Sequence, residues 1–309
     1  MQQAAPLETQ PPALWRRFVL TLEMIRFEHS LFALPFALTG ALLAWRQTGF
    51  VTAGLATKFG WIVLAMVGAR SAAMAFNRVL DADIDGRNPR TKSRHIPAGL
   101  LSRTFTWGFI AVASAAFLLA AGMLNDLCLR LAPVALAVVF CYSWTKRFTS
   151  LSHLVLGFAL GIAPAAAWIA IAGSLDARIV WLTAAVTLWT AGFDIIYSCQ
   201  DFEFDQREGL FSLPARLGIG GALNLSRLFH AGMIACLIAL HIALGLGIAA
   251  ALGIAAVAAL LLWEHRLVRN DDLSRVDAAF FTVNGWVSVI FFAFWAADIL
   301  LARVSVKNI

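Results

Sequence analysis

Nine apolar runs follow one another along this chain, at about 27–45, 59–80, 104–124, 127–144, 151–173, 178–199, 222–242, 245–263 and 278–301. About 20 residues of helix rise about 30 Å, the thickness of bilayer hydrocarbon. Lipid supplies no hydrogen-bond partners, so backbone crossing it must satisfy itself as helices or closed barrels. Runs of that length read as spanning helices. The expected fold class is therefore an all-α integral membrane protein with nine transmembrane helices. Gly245 and Gly247 fall between the seventh and eighth runs and mark a tight turn there. Residues 1–22 read as a cytoplasmic N-terminal tail and not a signal peptide, because no basic region precedes an apolar core. Residues 23–303 read as one transmembrane domain without linkers. Only 14% of the 309 residues are charged and mean hydropathy is +0.78, against about a quarter charged in soluble domains.

The few charges are unevenly placed. With the N-terminus inside, 17 Lys and Arg fall on the cytoplasmic side and six on the other, with Arg70 alone inside a span. That bias orients a bacterial inner-membrane protein with its N-terminus and its acidic loops in the cytoplasm. It also accounts for the net charge of +6 without nucleic acid. The four cysteines are widely spaced, form no C-x-x-C, and read as small hydrophobes in helices.

Eight of the 18 carboxylates crowd into two windows at the cytoplasmic ends of even-numbered runs: Asp81, Asp83 and Asp85, then Asp194, Asp201, Glu203, Asp205 and Glu208. In a continuous helix Asn77, Asp81 and Asp85 line one face, with Arg70 two turns above. Asp83 points elsewhere and reads as a surface charge, as do Glu203 and Glu208. Pro89 limits how far that helix extends. In the second window Asp194 and Asp201 are seven residues apart, about 20° from alignment, with Tyr197 between them and Asp205 one turn further.

Acids stacked on one face repel, more strongly near hydrocarbon. A hard cation with oxygen ligands relieves this, and Mg²⁺ is typically held by one or two carboxylates together with substrate phosphates. Two such faces would clamp a diphosphate through shared metal, with Arg70, Arg94, Lys146 and Arg147 taking the remaining charge. On this reasoning, removing Asp81 or Asp201 relieves repulsion and leaves the fold intact.

N-x-x-x-D-x-x-x-D at Asn77, Asp81 and Asp85, with R-x-I-P-A-G from Arg94, resembles the first motif of UbiA-type membrane prenyltransferases. DIIYSCQDFEFD, Asp194 to Asp205, resembles the second. YSWTKRFT from Tyr142 and MIRFEHSLFALPFAL from Met24 resemble two further segments, so the likeness covers roughly residues 20–300. The resemblance implies nine helices around a central cavity that opens to lipid, and two Asp-rich motifs that bind Mg²⁺ and a polyprenyl diphosphate. The allylic cation then alkylates an aromatic acid. It carries metal and diphosphate binding onto Asn77, Asp81, Asp85, Asp194, Asp201 and Asp205, with Asp81, Asp85, Asp201 and Asp205 as metal ligands. Asp81, Asp194 and Asp201 become the catalytic set. Substrate contacts fall on Arg26, Arg70, Arg94, Tyr142, Lys146, Arg147 and Tyr197.

The common first motif begins Asn-Asp, whereas here Arg78 follows Asn77. This resembles a bacterial branch close to 4-hydroxybenzoate polyprenyltransferases, some of which prenylate a dihydroxynaphthoate on the futalosine route to menaquinone. The expected acceptor is a 4-hydroxybenzoate-type acid of ubiquinone or menaquinone biosynthesis, with 1,4-dihydroxy-6-naphthoate as the alternative.

The chemistry fits independently. Cations placed at a diphosphate stabilise its departure, an apolar cavity keeps water from a carbocation, and a second-window acid such as Asp194 can take the ring proton. His29 and His153 read mainly as helix-end residues, and Asn284 as interhelical glue or part of an acceptor pocket. A secondary transporter is the rival class, but its charges would gather at the midplane. A phospholipid phosphotransferase fits less well, because Asp85-Gly86-Arg87-Asn88 does not continue as the D-G-x-x-A-R of those enzymes.

Overall fold

The computed structural model describes residues 14–25 and 30–307. Among them the chain is helical, with no β-strand. The elements are α1 (Leu14–Met24), α2 (Ser30–Gln47), α3 (Leu55–Arg87), α4 (Arg103–Leu124), α5 (Asp126–Thr145), α6 (Ser152–Ala172), α7 (Val180–Ser198), α8 (Phe202–Glu208), α9 (Leu213–Leu244), α10 (Ile248–Leu267) and α11 (Asn284–Lys307). Nine of these are long, and among the described residues eight stretches are long and apolar enough to cross a membrane. The first expected run begins outside the described residues, and α2 carries the rest of it. The turn at Gly245 is present: that residue ends α9 with φ of 56°, and α10 starts at Ile248.

Three boundaries differ from the sequence reading. Residues 14–22 of the expected tail lie in α1, where Leu20, Leu22, Met24 and Ile25 pack against Phe76, Val79 and Ala82 of α3. Trp15 and Phe18 remain exposed beside Arg16 and Arg17, the composition of a helix lying at a membrane surface. The seventh run begins early, at Leu213, because Ser212 accepts the Ala215 N–H and Pro214 suits a first turn. A break at Gly218, with φ of 70°, then separates this cap from the span. The ninth run opens as a π-helical turn, Ala278–Val283.

Helix contacts run α3 on α4, α6 on both α2 and α7, α7 on α9, and α11 on both α2 and α10. Small residues permit the closest of these. A Cβ at Gly40 would stand 2.3 Å from the Pro164 carbonyl oxygen, and one at Gly157 would stand 2.2 Å from that of Thr187. The core is aromatic and aliphatic, centred on Phe36, Trp189, Phe291 and Trp295.

Candidate active site

Helix α3 is 33 residues long, about 50 Å at 1.5 Å per residue, and outruns the hydrocarbon by several turns. Those extra turns carry the first acidic window. Pro89 forbids helical backbone at Asn88, which is extended at φ −82° and ψ 119°. The Asn88 side chain accepts the Arg90 N–H at 2.9 Å, and the Thr91 hydroxyl donates to the Asp85 carbonyl and carboxylate at 3.1 Å each. The loop therefore turns back over the acids it has just left and brings Arg90 and Arg94 to them.

Each carboxylate of the first window is neutralised. Asp81, 2% exposed, accepts from Asn77 Nδ2 at 2.9 Å, Lys146 Nζ at 2.6 Å and Arg147 Nη2 at 3.0 Å. Asp85, 5% exposed, accepts from Arg94 Nη1 at 2.7 and 2.8 Å. The repulsion inferred from spacing is thus already cancelled, and removing Asp81 would strand two cations instead of relieving strain. This corrects the expectation that its loss leaves the fold untouched. Asp83 pairs with Arg103 in solvent, away from the cavity.

The second window is not one helix. Helix α7 ends at Ser198, a 3₁₀ turn runs Cys199–Asp201, and α8 follows. Asp194 lies on α7, where His153 Nδ1 stands 2.7 Å from its Oδ2. The Leu213 N–H donates to His153 Nε2 at 3.4 Å, so the ring proton belongs on Nδ1 and is donated to Asp194. Asp201 is held by Asn88 Nδ2 at 2.9 Å and by Arg90 through Nε at 2.9 Å and through Nη2. Arg90 Nη1 also donates to the Tyr197 hydroxyl at 3.0 Å. Burial works to lower the Arg90 guanidinium, but its hydrogen bond to Asp201 and that acid's charge raise it above the ordinary arginine value.

The two acid windows border one cavity of about 570 Å³. Asn77, Asp81, Asp85, Asp194, Asp201 and Asp205 line it with Arg70, Arg78, Arg90, Arg94, Tyr142, Lys146 and Tyr197. Phe32, Met74, Leu160, Phe193, Phe280 and Phe281 complete the lining with apolar surface. Arg147 is absent from the lining: its guanidinium braces Asp81 from behind and also donates to the Leu80 and Ser143 carbonyls. The Arg70 Nε is buried and has no partner among the described residues. Arg26 and His29 lie outside the described residues.

The donor set is all oxygen, which suits a hard divalent cation. As arranged, no three acidic, histidine or cysteine side chains among the described residues converge closely enough to hold an ion. Arginine and lysine groups hold the carboxylates instead, so the donors fit Mg²⁺ in kind once those groups swing aside.

Sequence reasoning missed Asn88, Arg90 and Thr91, since only the reversal at Pro89 brings them to the site. It also underrated His153, in the first turn of α6, whose partner Asp194 lies 41 residues away in the chain and meets it only through packing. The aromatic part of the lining was missed too: a Phe in an apolar helix looks the same facing lipid or a cavity.

Residues 33–295 match the model of the UbiA prenyltransferase family, and the chain belongs to that family. It is an enzyme, a multi-pass membrane prenyltransferase, and the transporter reading falls. A 4-hydroxybenzoate octaprenyltransferase of Vibrio atlanticus is 32% identical over 245 residues, covering 75% of this chain and 83% of that one. The enzyme of the same name from Saccharophagus degradans is 30% identical over 246 residues, covering 78% and 80%. Among solved structures, an apo UbiA homologue from Aeropyrum pernix superposes with a TM-score of 0.79 at 37% identity, covering 88% of this chain and 98% of the other. A homologue from Archaeoglobus fulgidus bound to DMAPP and Mg²⁺ shares the fold, with a TM-score of 0.65 at 18% identity over 90% and 98%.

Proposed function

We propose that this enzyme transfers a polyprenyl group from a polyprenyl diphosphate to a ring carbon of 4-hydroxybenzoate or a close aromatic acid, with Mg²⁺, in quinone biosynthesis. The observation that carries this reading is the cavity's mixed lining: two acid motifs and several cations share it with aromatic and aliphatic side chains. A diphosphate joined to an isoprenoid chain needs both kinds of surface. The benzoate acceptor rests on the names of the curated relatives. The alternative, 1,4-dihydroxy-6-naphthoate, rests on the sequence resemblance that Arg78 marks, and the names of the relatives give it no support.

Asp81, Asp85, Asp201 and Asp205 would hold the metal, whose contribution is to neutralise charge on the diphosphate. Lys146, Arg94 and Arg90, released from their carboxylates, then turn to the phosphate oxygens, and Arg70 supplies its unpaired Nε. The bond between the allylic carbon and the diphosphate oxygen breaks, and the electron pair leaves with the diphosphate. A ring carbon ortho to the phenol hydroxyl attacks the allylic carbon. The hydrogen on that ring carbon departs as a proton, and Asp194, aimed by His153, is placed to accept it. The protein would sit in the bacterial inner membrane with the acid motifs toward the cytoplasm, so that the diphosphate arrives from water and the chain from lipid.

The test is to supply purified protein with Mg²⁺, labelled polyprenyl diphosphate, and 4-hydroxybenzoate or 1,4-dihydroxy-6-naphthoate in parallel. Carbon-prenylated benzoate supports the reading. Product from the naphthoate alone moves the acceptor to the alternative. Absence of product from both refutes prenylation of this acceptor class.

A further inference from the structure

The deepest polar cluster of the bundle takes no part in metal or diphosphate binding. Glu264 on α10, Asn284 at the head of α11 and Trp189 on α7 are each fully inaccessible. Trp189 Nε1 donates to Asn284 Oδ1 at 2.6 Å, and Asn284 Nδ2 donates to Glu264 Oε1 at 2.7 Å. The same Nδ2 donates to the Ala279 carbonyl at 3.1 Å, while the Asn284 backbone N–H goes to Phe281. The Asn284 amide thus stands in for a backbone donor that the π-helical turn 278–283 does not supply.

Such turns insert one residue into a helix and re-aim side chains, and they recur at functional sites. Here the turn directs Phe280 and Phe281 into the cavity. The Phe280 ring lies 4.3 Å from that of Tyr197 and 5.2 Å, edge-on, from that of Phe193. Tyr197 is bonded through its hydroxyl to Arg90, which holds Asp201. Phe280 is therefore one ring away from the Arg90–Asp201 pair, next to where a diphosphate bound at the acids would pass into its chain. That is where the allylic carbon belongs in the reading above, on which this inference rests.

We propose that the turn 278–283 is a positioning device, that Phe280 is the ring face against which the allylic cation forms, and that Asn284 is the residue that positions it. A cation over an aromatic face in a desolvated site gains about 2 kcal/mol, about 30-fold in rate. The ring also blocks water, which would otherwise add to the cation, lose a proton and give prenyl alcohol.

The test uses full-length protein in detergent with Mg²⁺, geranyl diphosphate and the acceptor that wild type prenylates, recording kcat, KM and the share of prenyl alcohol. Phe280→Leu lowers kcat about 10- to 30-fold, leaves the diphosphate KM within about threefold and raises the alcohol share. Phe280→Tyr recovers most of the kcat. Asn284→Ala moves the same readouts in the same direction. Should Asn284→Ala lose its monodisperse elution, Trp189→Phe, which removes the donor to Asn284 together with the pyrrole part of the ring and keeps an aromatic in the core, gives a kcat loss of about 3- to 10-fold. A kcat for Phe280→Leu within twofold of wild type overturns the proposal, as does a loss expressed in KM with no added alcohol. Wild-type values for both Asn284→Ala and Trp189→Phe overturn the positioning role. Failure of wild type to prenylate any acceptor refutes the proposed function itself, and this inference falls with it.

Discussion

The two acid motifs reach one cavity on different backbones. The first rides an unbroken helix, so Asn77, Asp81 and Asp85 stack as their spacing requires, with the two carboxylates buried and their cations already in place. The second is split by the 3₁₀ turn at Cys199–Asp201, and its acids are held from outside: Asp194 by a histidine of α6, Asp201 by an asparagine and an arginine of the loop after α3. Side-chain exposure follows, at 2% and 6% for Asp81 and Asp85 against 24% and 18% for Asp194 and Asp201. A buried ion network is destabilised when one member is removed, whereas a partly exposed one re-solvates more easily. The first motif should therefore couple chemistry to folding, and the second should separate them.

The largest expected effect is shared by both. Chelation of divalent metal abolishes turnover, and added Mg²⁺ restores it. Asp81→Asn and Asp201→Asn each lower kcat by about a thousandfold or more, the scale of losing a main electrostatic stabiliser. They part in stability. Asp81→Asn lowers the melting temperature by several degrees, because Lys146 and Arg147 lose their counter-charge. Asp201→Asn leaves it nearly unchanged. Equal shifts in a thermal-unfolding assay would erase the distinction.

Lys146→Ala comes next. It raises the KM for the prenyl diphosphate about tenfold or more, the size of one charge-assisted hydrogen bond. An unchanged KM would make Lys146 a brace for Asp81 alone.

Arg90→Ala sharpens the contrast further, because Arg90 occupies the acid that metal would use. Its loss should lower the Mg²⁺ concentration for half-maximal activity by about threefold, the scale of an ion pair of about 0.5–1 kcal/mol at a partly exposed site. Its guanidinium is held above the ordinary arginine value, so it stays charged between about pH 6 and 9 and its own titration adds no pH dependence to this competition. A metal requirement that rises on removing Arg90 would contradict the competition.

The smallest effect is at Glu208, whose exposed pair with Arg87 at 2.9 Å joins the ends of the two motifs. Glu208→Gln should change stability by no more than about 0.5 kcal/mol and leave KM alone.

Much of this arrangement was legible beforehand. The helical class followed from run length, and the first motif's face from residues four apart. The convergence of Asp81 and Asp201 followed from a resemblance and not from spacing, since sequence separation carries no distance. The alignment of Asp194 with Asp201 was extrapolated along a helix that actually changes pitch at Cys199. Nothing local announces that turn, because Ser198, Cys199 and Gln200 are tolerated in either geometry. The role of Asn284 as glue was half visible: a lone amide in an apolar helix needs partners. Which partners it found, Trp189 and Glu264, depended on three helices meeting.

By itself the sequence determined that this chain carries many apolar helical runs, that most of its Lys and Arg fall to one side of them, and that eight carboxylates crowd into two short windows. Those are consequences of composition and periodicity, which act along one helix at a time. The tertiary structure alone decided that Arg90 and Arg94 fold back onto the acids, that His153 aims Asp194, and that a π-turn braced by Asn284 faces Phe280 inward. Each of those depends on groups far apart in the chain meeting where water is scarce, and there an unpaired polar atom costs enough to select its partner.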